Sequence, residues 1–139
     1  MTYLLTMMLA AVIVAGAVQG APPNQEARPS RLAVIWSSGD PEVAHSVCFM
    51  YTHNAKKRGW FDEVVLIVWG PSDELLVKDK SLQEKIRAMA ADGVKLLACK
   101  ACADSYGVSG QLEKLGVEVK YMGMPLTEML QSGWKVLTF

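Results

Sequence analysis

Neither sign of charge is in excess in this 139-residue chain, where 14 basic residues stand against 14 acidic ones. No basic stripe interleaves with the aromatics, which argues against nucleic acid as a partner. Histidine is scarce: His45 and His53 are the only two, and their separation is a poor one for metal ligands. Cysteine is scarce too. Cys48, Cys99 and Cys102 cannot all pair internally, and a CxxC pair closes too short a loop to brace a fold, so a structural disulfide framework is not expected. No glycine-rich fingerprint and no internal repeat occurs. Ser37 to Glu42 has the loop-to-helix form of an anion site, but its two carboxylates disfavour phosphate. Neither metal nor organic cofactor is therefore expected.

Long hydrophobic runs are also few, and the most extended one comes first. Leu4 to Val18 is apolar and uncharged, about 15 residues, which suits a signal-peptide core and is short for a membrane span. Val18-Gln19-Gly20 places small residues before a cut after Gly20. Residues 1–20 are read as a cleaved signal peptide, which predicts a periplasmic or otherwise exported protein with no membrane contact after cleavage. The alternative is an uncleaved membrane anchor, since Met1-Thr2-Tyr3 supplies no Lys or Arg. Residues 21–30 contain Pro22, Pro23 and Pro29 among polar residues and read as a linker. One domain remains, residues 31–139.

Within it, strand-like and helix-like segments alternate. Leu32–Trp36 and Val64–Val68 are continuous apolar runs, as in strands buried on both faces. Between them, Asp40 and Pro41 open a helix whose apolar line is Val43, Ala44, Val47, Cys48 and Tyr51, ending near Gly59. Gly70-Pro71 stops the second strand, and Ser72–Lys80 holds a short helical turn. Ser81-Leu82-Gln83-Glu84 reads as a capping box, with Leu82, Ile86 and Met89 on one face and Gly93 as the stop. Val94–Ala98 is a third strand, followed by short helices over 101–106 and 111–115. Val117–Tyr121 is a fourth strand, 126–131 a helix, and Lys135–Phe139 a fifth strand. This order predicts an α/β fold, a three-layer α/β/α sandwich on a mostly parallel sheet of about five strands.

In such sheets ligands bind beyond the carboxyl ends of the strands. Those ends bring together Ser37, Ser38 and Gly39, then Trp69, Gly70 and Pro71, then Cys99 and Lys100, then Met122 and Gly123. These residues are the expected substrate pocket. Cys99 falls where a strand passes into a helix, and unpaired amides there favour an anion and hence a thiolate. Lys100 beside it adds positive charge. Cys99 and Cys102 are thus the candidate catalytic pair, whereas Cys48, on the apolar helix face, reads as packing. Met122 and Met124 also fit a simpler role covering the sheet.

These residues carry a resemblance. Val94 to Val108, with its strand, cysteine pair, short helix and glycine, is similar to the corresponding segment of the DsrE/DsrF-like family, which includes DsrE, TusD and YchN-type proteins. Trp69-Gly70-Pro71 with its acidic helix, and the terminal strand Lys135–Phe139, resemble further family features. The resemblance implies a three-layer α/β fold and a homo-oligomer, a trimer or hexamer. It also implies that Cys99 carries sulfur as a persulfide, with Cys102 the extra cysteine of the YchN-type subgroup. The partners would be a sulfur donor and an acceptor thiol. The alternatives are a CxxC thiol–disulfide oxidoreductase and a non-enzymatic oligomeric binding module.

Overall fold

A computed structural model describes residues 29–139. The apolar leader 1–20 and residues 21–28 of the linker lie outside the described residues.

Five parallel strands form one sheet in the order β4-β3-β2-β1-β5. β1 is Arg31–Trp36, β2 Glu63–Val68, β3 Lys95–Cys99, β4 Glu118–Lys120 and β5 Lys135–Thr138. Every pairing is parallel, including β1 with β5. The apolar runs of β1, β2 and β3 occupy the three central places because both of their faces are covered. Alternation along each strand divides the core in two. Leu32, Val34, Trp36, Val64, Leu66, Val68, Leu96 and Ala98 face one cluster; Ala33, Val65, Ile67, Leu97 and Cys99 face the other.

The two layers of helix are unequal. The first cluster is roofed by α1 (Pro41–Val43), a π-helical turn (Ala44–Cys48) and α2 (Phe49–Lys57), followed by α3 (Pro71–Lys78), α4 (Lys80–Ala91), α5 (Lys100–Ser105) and α6 (Ser109–Lys114). The second is covered by α7 (Gly123–Gln131), through Leu126 and Met129, with Met122 and Cys102 beside it. No residue of α7 is fully buried, and Met124 and Leu130 on it are exposed. The sandwich is three-layered, with one thin layer.

Local chemistry explains most boundaries and corrects two. Asp40 caps α1 by accepting from the Glu42 amide at 2.8 Å, with Pro41 in the first turn. The wide turn that follows, in which the Phe49 amide donates to Ala44 O, brings Ala44 and Phe49 onto one buried line. Val47, expected on that line, is pushed out to solvent. At α4 the cap is Asp79, whose carboxylate accepts from the Leu82 amide at 3.1 Å, and not Ser81. Gln83 serves the preceding helix instead. Its amide nitrogen donates to Leu76 O and Val77 O, satisfying carbonyls at the end of α3. Leu82, Ile86 and Met89 are buried as their spacing predicts.

Among the described residues no helix is long and apolar enough to cross a membrane.

Candidate functional site

β3 runs one residue further than its apolar run suggests, so Cys99 is its last residue and also the N-cap of α5, in extended conformation. The strand register then sets the direction of the thiol. Leu97 and Cys99 alternate with Leu96 and Ala98 and point to the α7 side. One turn later Cys102 meets the same cluster, packed there with Trp69. Cys99 is 5% exposed, whereas Cys102 is only half-buried. Both are free thiols, as is Cys48.

Cys102 is held above the ordinary thiol range, first by burial and then by the neighbouring Cys99. Asp73 pushes in the same direction, and the Gly70 amide opposes it. Cys48 lies in the core and is pushed up to about 12 by burial, which makes it an inert packing residue.

Trp69-Gly70-Pro71 closes over this site. Gly70 has φ 82° and ψ −133°, a conformation open essentially to glycine alone. The turn is pinned by Ser72, whose buried hydroxyl donates to Trp36 O and accepts from the Trp69 amide at 3.0 Å. Gly39 brings the loop after β1 against the loop after β2; a Cβ there would stand 3.3 Å from Pro71 Cβ. Ser37, Ser38, Gly39, Trp69, Gly70, Pro71 and Cys99 thus share one rim, at the carboxyl ends of β1, β2 and β3.

Three expectations need correction. The amides of Ser37 and Ser38 are not open to an oxyanion, because both donate to Phe139 O, at 2.8 and 3.2 Å. Lys100 does not turn its charge to the thiols: its Nζ lies 2.7 Å from Asp104 Oδ2 and 5.9 Å from the centroid of the Tyr121 ring. Met122 is not a rim residue. It is fully buried in the cluster that holds Cys99, because the apolar sheet must be covered on the α7 side too. Gly123 begins α7 and faces open space.

Asp73 is the residue that sequence reasoning missed. It sits in the first turn of α3, fully buried, with Oδ2 accepting from the Gly70 amide at 3.1 Å. Its Oδ1 has no hydrogen-bond partner. Burial raises its pKa to about 7. The pattern Gly70-Pro71-Ser72-Asp73 signals a helix start with a capping acid, but nothing local signals that the acid is fully buried.

Among the described residues no cluster of His, Cys, Asp or Glu is gathered as a metal site. A cavity of about 470 Å³ lies elsewhere, between α2 and α4, lined by His45, His53, Lys57 and Lys85 over Phe49 and Met89. His53 Nε2 is 2.6 Å from Asp92 Oδ2 there.

Comparison with known proteins agrees with this architecture. The model of the DsrE/DsrF-like family matches residues 62–139, from the start of β2 to the end of β5. A conserved protein of unknown function from Bacteroides thetaiotaomicron, BT1422, is similar at 34% identity and a TM-score of 0.76, over 79% of this chain and 95% of that one. YchN of E. coli, at 17% identity and a TM-score of 0.64, shares the fold over 79% of this chain and 99% of its own. MTH1491 from Methanobacterium thermoautotrophicum, a protein of unknown function, does so at 17% and 0.66, with the same coverage. No curated protein sequence matches the chain.

Proposed function

Since the chain belongs to the DsrE/DsrF-like family, whose fold is associated with sulfur relay, we propose that it is a sulfur carrier that holds sulfane sulfur on Cys99. The observation that carries this reading is the place of Cys99, the last residue of β3 and the N-cap of α5, with Cys102 one turn on in the same cluster, a strand-end position from which a thiolate can act as nucleophile. With thiosulfate as donor, the Cys99 thiolate attacks the outer sulfur. The S–S bond of thiosulfate breaks, sulfite leaves with the electron pair, and Cys99–S–S⁻ remains. An acceptor thiolate then attacks the outer sulfur of the persulfide, takes it, and regenerates the Cys99 thiolate.

The test is an intact mass after incubation with thiosulfate or polysulfide. A gain of about 32 Da, one sulfur atom, that persists in Cys102→Ala and vanishes in Cys99→Ala supports the carrier. An adduct that needs Cys102 and survives loss of Cys99 overturns the assignment.

The order of exposure favours a second reading. Cys102 is the more accessible thiol, as in a disulfide exchanger whose outer sulfur meets the partner first. Ready cycling between dithiol and Cys99–Cys102 disulfide, with no sulfur adduct, would favour it.

The thin layer bears on assembly. Met124 and Leu130 on α7 are exposed apolar side chains, and we propose that this face is buried in a homo-oligomer. The setting we propose is an exported one, with residues 1–20 removed. The mass of the mature protein from its native host checks that directly.

A further inference from the structure

The π-helical turn Ala44–Cys48 interrupts the helix after β1, and wide turns of this kind are frequent at functional sites. Beside it lies the cavity of about 470 Å³ between α2 and α4, within the range of about 300–1,000 Å³ typical of small-molecule sites. It is on the other side of the sheet from the thiols: Phe49 and Met89, its floor, belong to the first core cluster, and Cys99 to the second. The floor is firm. Phe49 is held by an edge-to-face contact with Trp36, ring centroids 4.8 Å apart. Met50 stands on the rim, 54% exposed, an apolar and adaptable side chain left without cover. Ala88, with only a methyl group, keeps the α4 wall open.

The direction of the helices sorts the polar groups into two ends. α2 and α4 each lead from one strand of the parallel sheet toward the next, so they run the same way. Near their C-terminal ends His53 and Lys57 are engaged by Asp92, at 2.6 and 4.0 Å. His45 and Lys85 stand roughly two turns earlier, one on each side of the cavity. Among the described residues neither has a side-chain hydrogen bond or an ion pair, and no carboxylate is among the residues that line the cavity.

We propose that this cavity binds a small amphipathic anion, an organic carboxylate or sulfonate whose apolar body lies on Phe49 and Met89 and whose head group is held by Lys85 and His45. The Lys85 ammonium brings charge and three donors, and the His45 imidazole brings an N–H. The apolar floor excludes a bare inorganic anion as the best occupant, because burying that floor contributes only when the ligand has an apolar part. Asp92, at the opposite end, opposes a second negative charge there, so a monoanion is favoured over a dianion. The site is independent of whatever Cys99 carries.

The experiment titrates the full chain, ¹³C-labelled at its methionine methyls, with naphthoate and with naphthamide, the neutral analogue of the same shape. Naphthoate should give saturable shifts at the Met50 and Met89 methyls, through the ring current of the bound probe, and none at Met124 on α7. Naphthamide should bind about 3–10-fold more weakly, the range for a partly exposed charged hydrogen bond. Lys85→Gln should weaken naphthoate by a similar factor and leave naphthamide unchanged. Ala88→Trp, which fills the cavity, should abolish the shifts with both. Lys85 and Ala88 are exposed, so neither change puts folding at risk. Equal affinity for acid and amide overturns the proposal, as do shifts no larger at Met50 and Met89 than at Met124. Shifts that follow protein concentration without probe would assign the cavity to a second copy of the chain, and overturn it too.

Discussion

Gly70 donates its amide to Asp73 Oδ2 at 3.1 Å, while Asp73 Oδ1 lies buried with no partner. A carboxyl in that position makes stability depend on pH in an unusual direction. Its pKa is raised from 3.8 to about 7 on folding, so between those values the native state binds the extra proton. Stability therefore falls as pH rises from about 4 to 7, and the loss is complete above 7. Asp73→Asn should flatten this slope. At pH 8 it should be the more stable protein by an amount on the order of 4 kcal/mol, because each pH unit separating the folded from the unfolded value is worth about 1.4 kcal/mol. Urea unfolding at pH 5 and pH 8 checks it; equal wild-type and variant slopes would show that Asp73 carries no such cost.

Asp92 should show the opposite sign. His53, hydrogen-bonded to it, holds its carboxyl below the usual range. A depressed pKa contributes stability that is present above the unfolded value, near 3.9, and is lost as pH falls through the folded one. The melting temperature of Asp92→Asn should lie below that of the wild type at pH 6. The gap should close as both are acidified below about pH 4. A gap that is constant with pH would assign the effect to packing.

Gly70→Ala tests the turn that carries the site. A Cβ at Gly70 would meet no neighbour within 4 Å, so its positive φ is the whole constraint. Strain of this kind costs about 1–3 kcal/mol, to be read as a lowered urea midpoint. Gly110→Ala, in open space and without a positive φ, should cause no comparable loss.

The two helical layers should respond differently to truncation. Ile86 is fully buried beneath α4, so Ile86→Ala should cost about 2–5 kcal/mol. Leu130, 55% exposed on α7, should cost a monomer little. Leu130→Asp should instead lower the mass found by light scattering, because a charge would then enter the proposed subunit interface. An unchanged mass would place that interface elsewhere.

Much of the architecture was legible because it is local. Apolar runs at 32–36, 64–68 and 94–98 announce buried strands, and Asp40-Pro41 and Gly93 mark helix ends through capping and backbone preference. The reading failed where a local signal had competitors. Ser81 and Asp79 can both cap a helix, and Asp79 does so. Val47 lies on the apolar line of an ideal helix, but one wide turn moves that line past it. Lys100 is adjacent to Cys99 in the chain, yet a carboxylate one helical turn away at Asp104 takes its charge.

What the sequence by itself determined was the parallel α/β class and the strand-end position of Cys99, both consequences of near-neighbour periodicity. Strand order, the thin layer under α7 and the side of the sheet that Cys99 faces were decided only in three dimensions. They depend on which distant surfaces cover one another. So does Asp73. Its residue type and place at a helix start are local, but its burial arises only when α3 is packed against its neighbours at the ends of the strands.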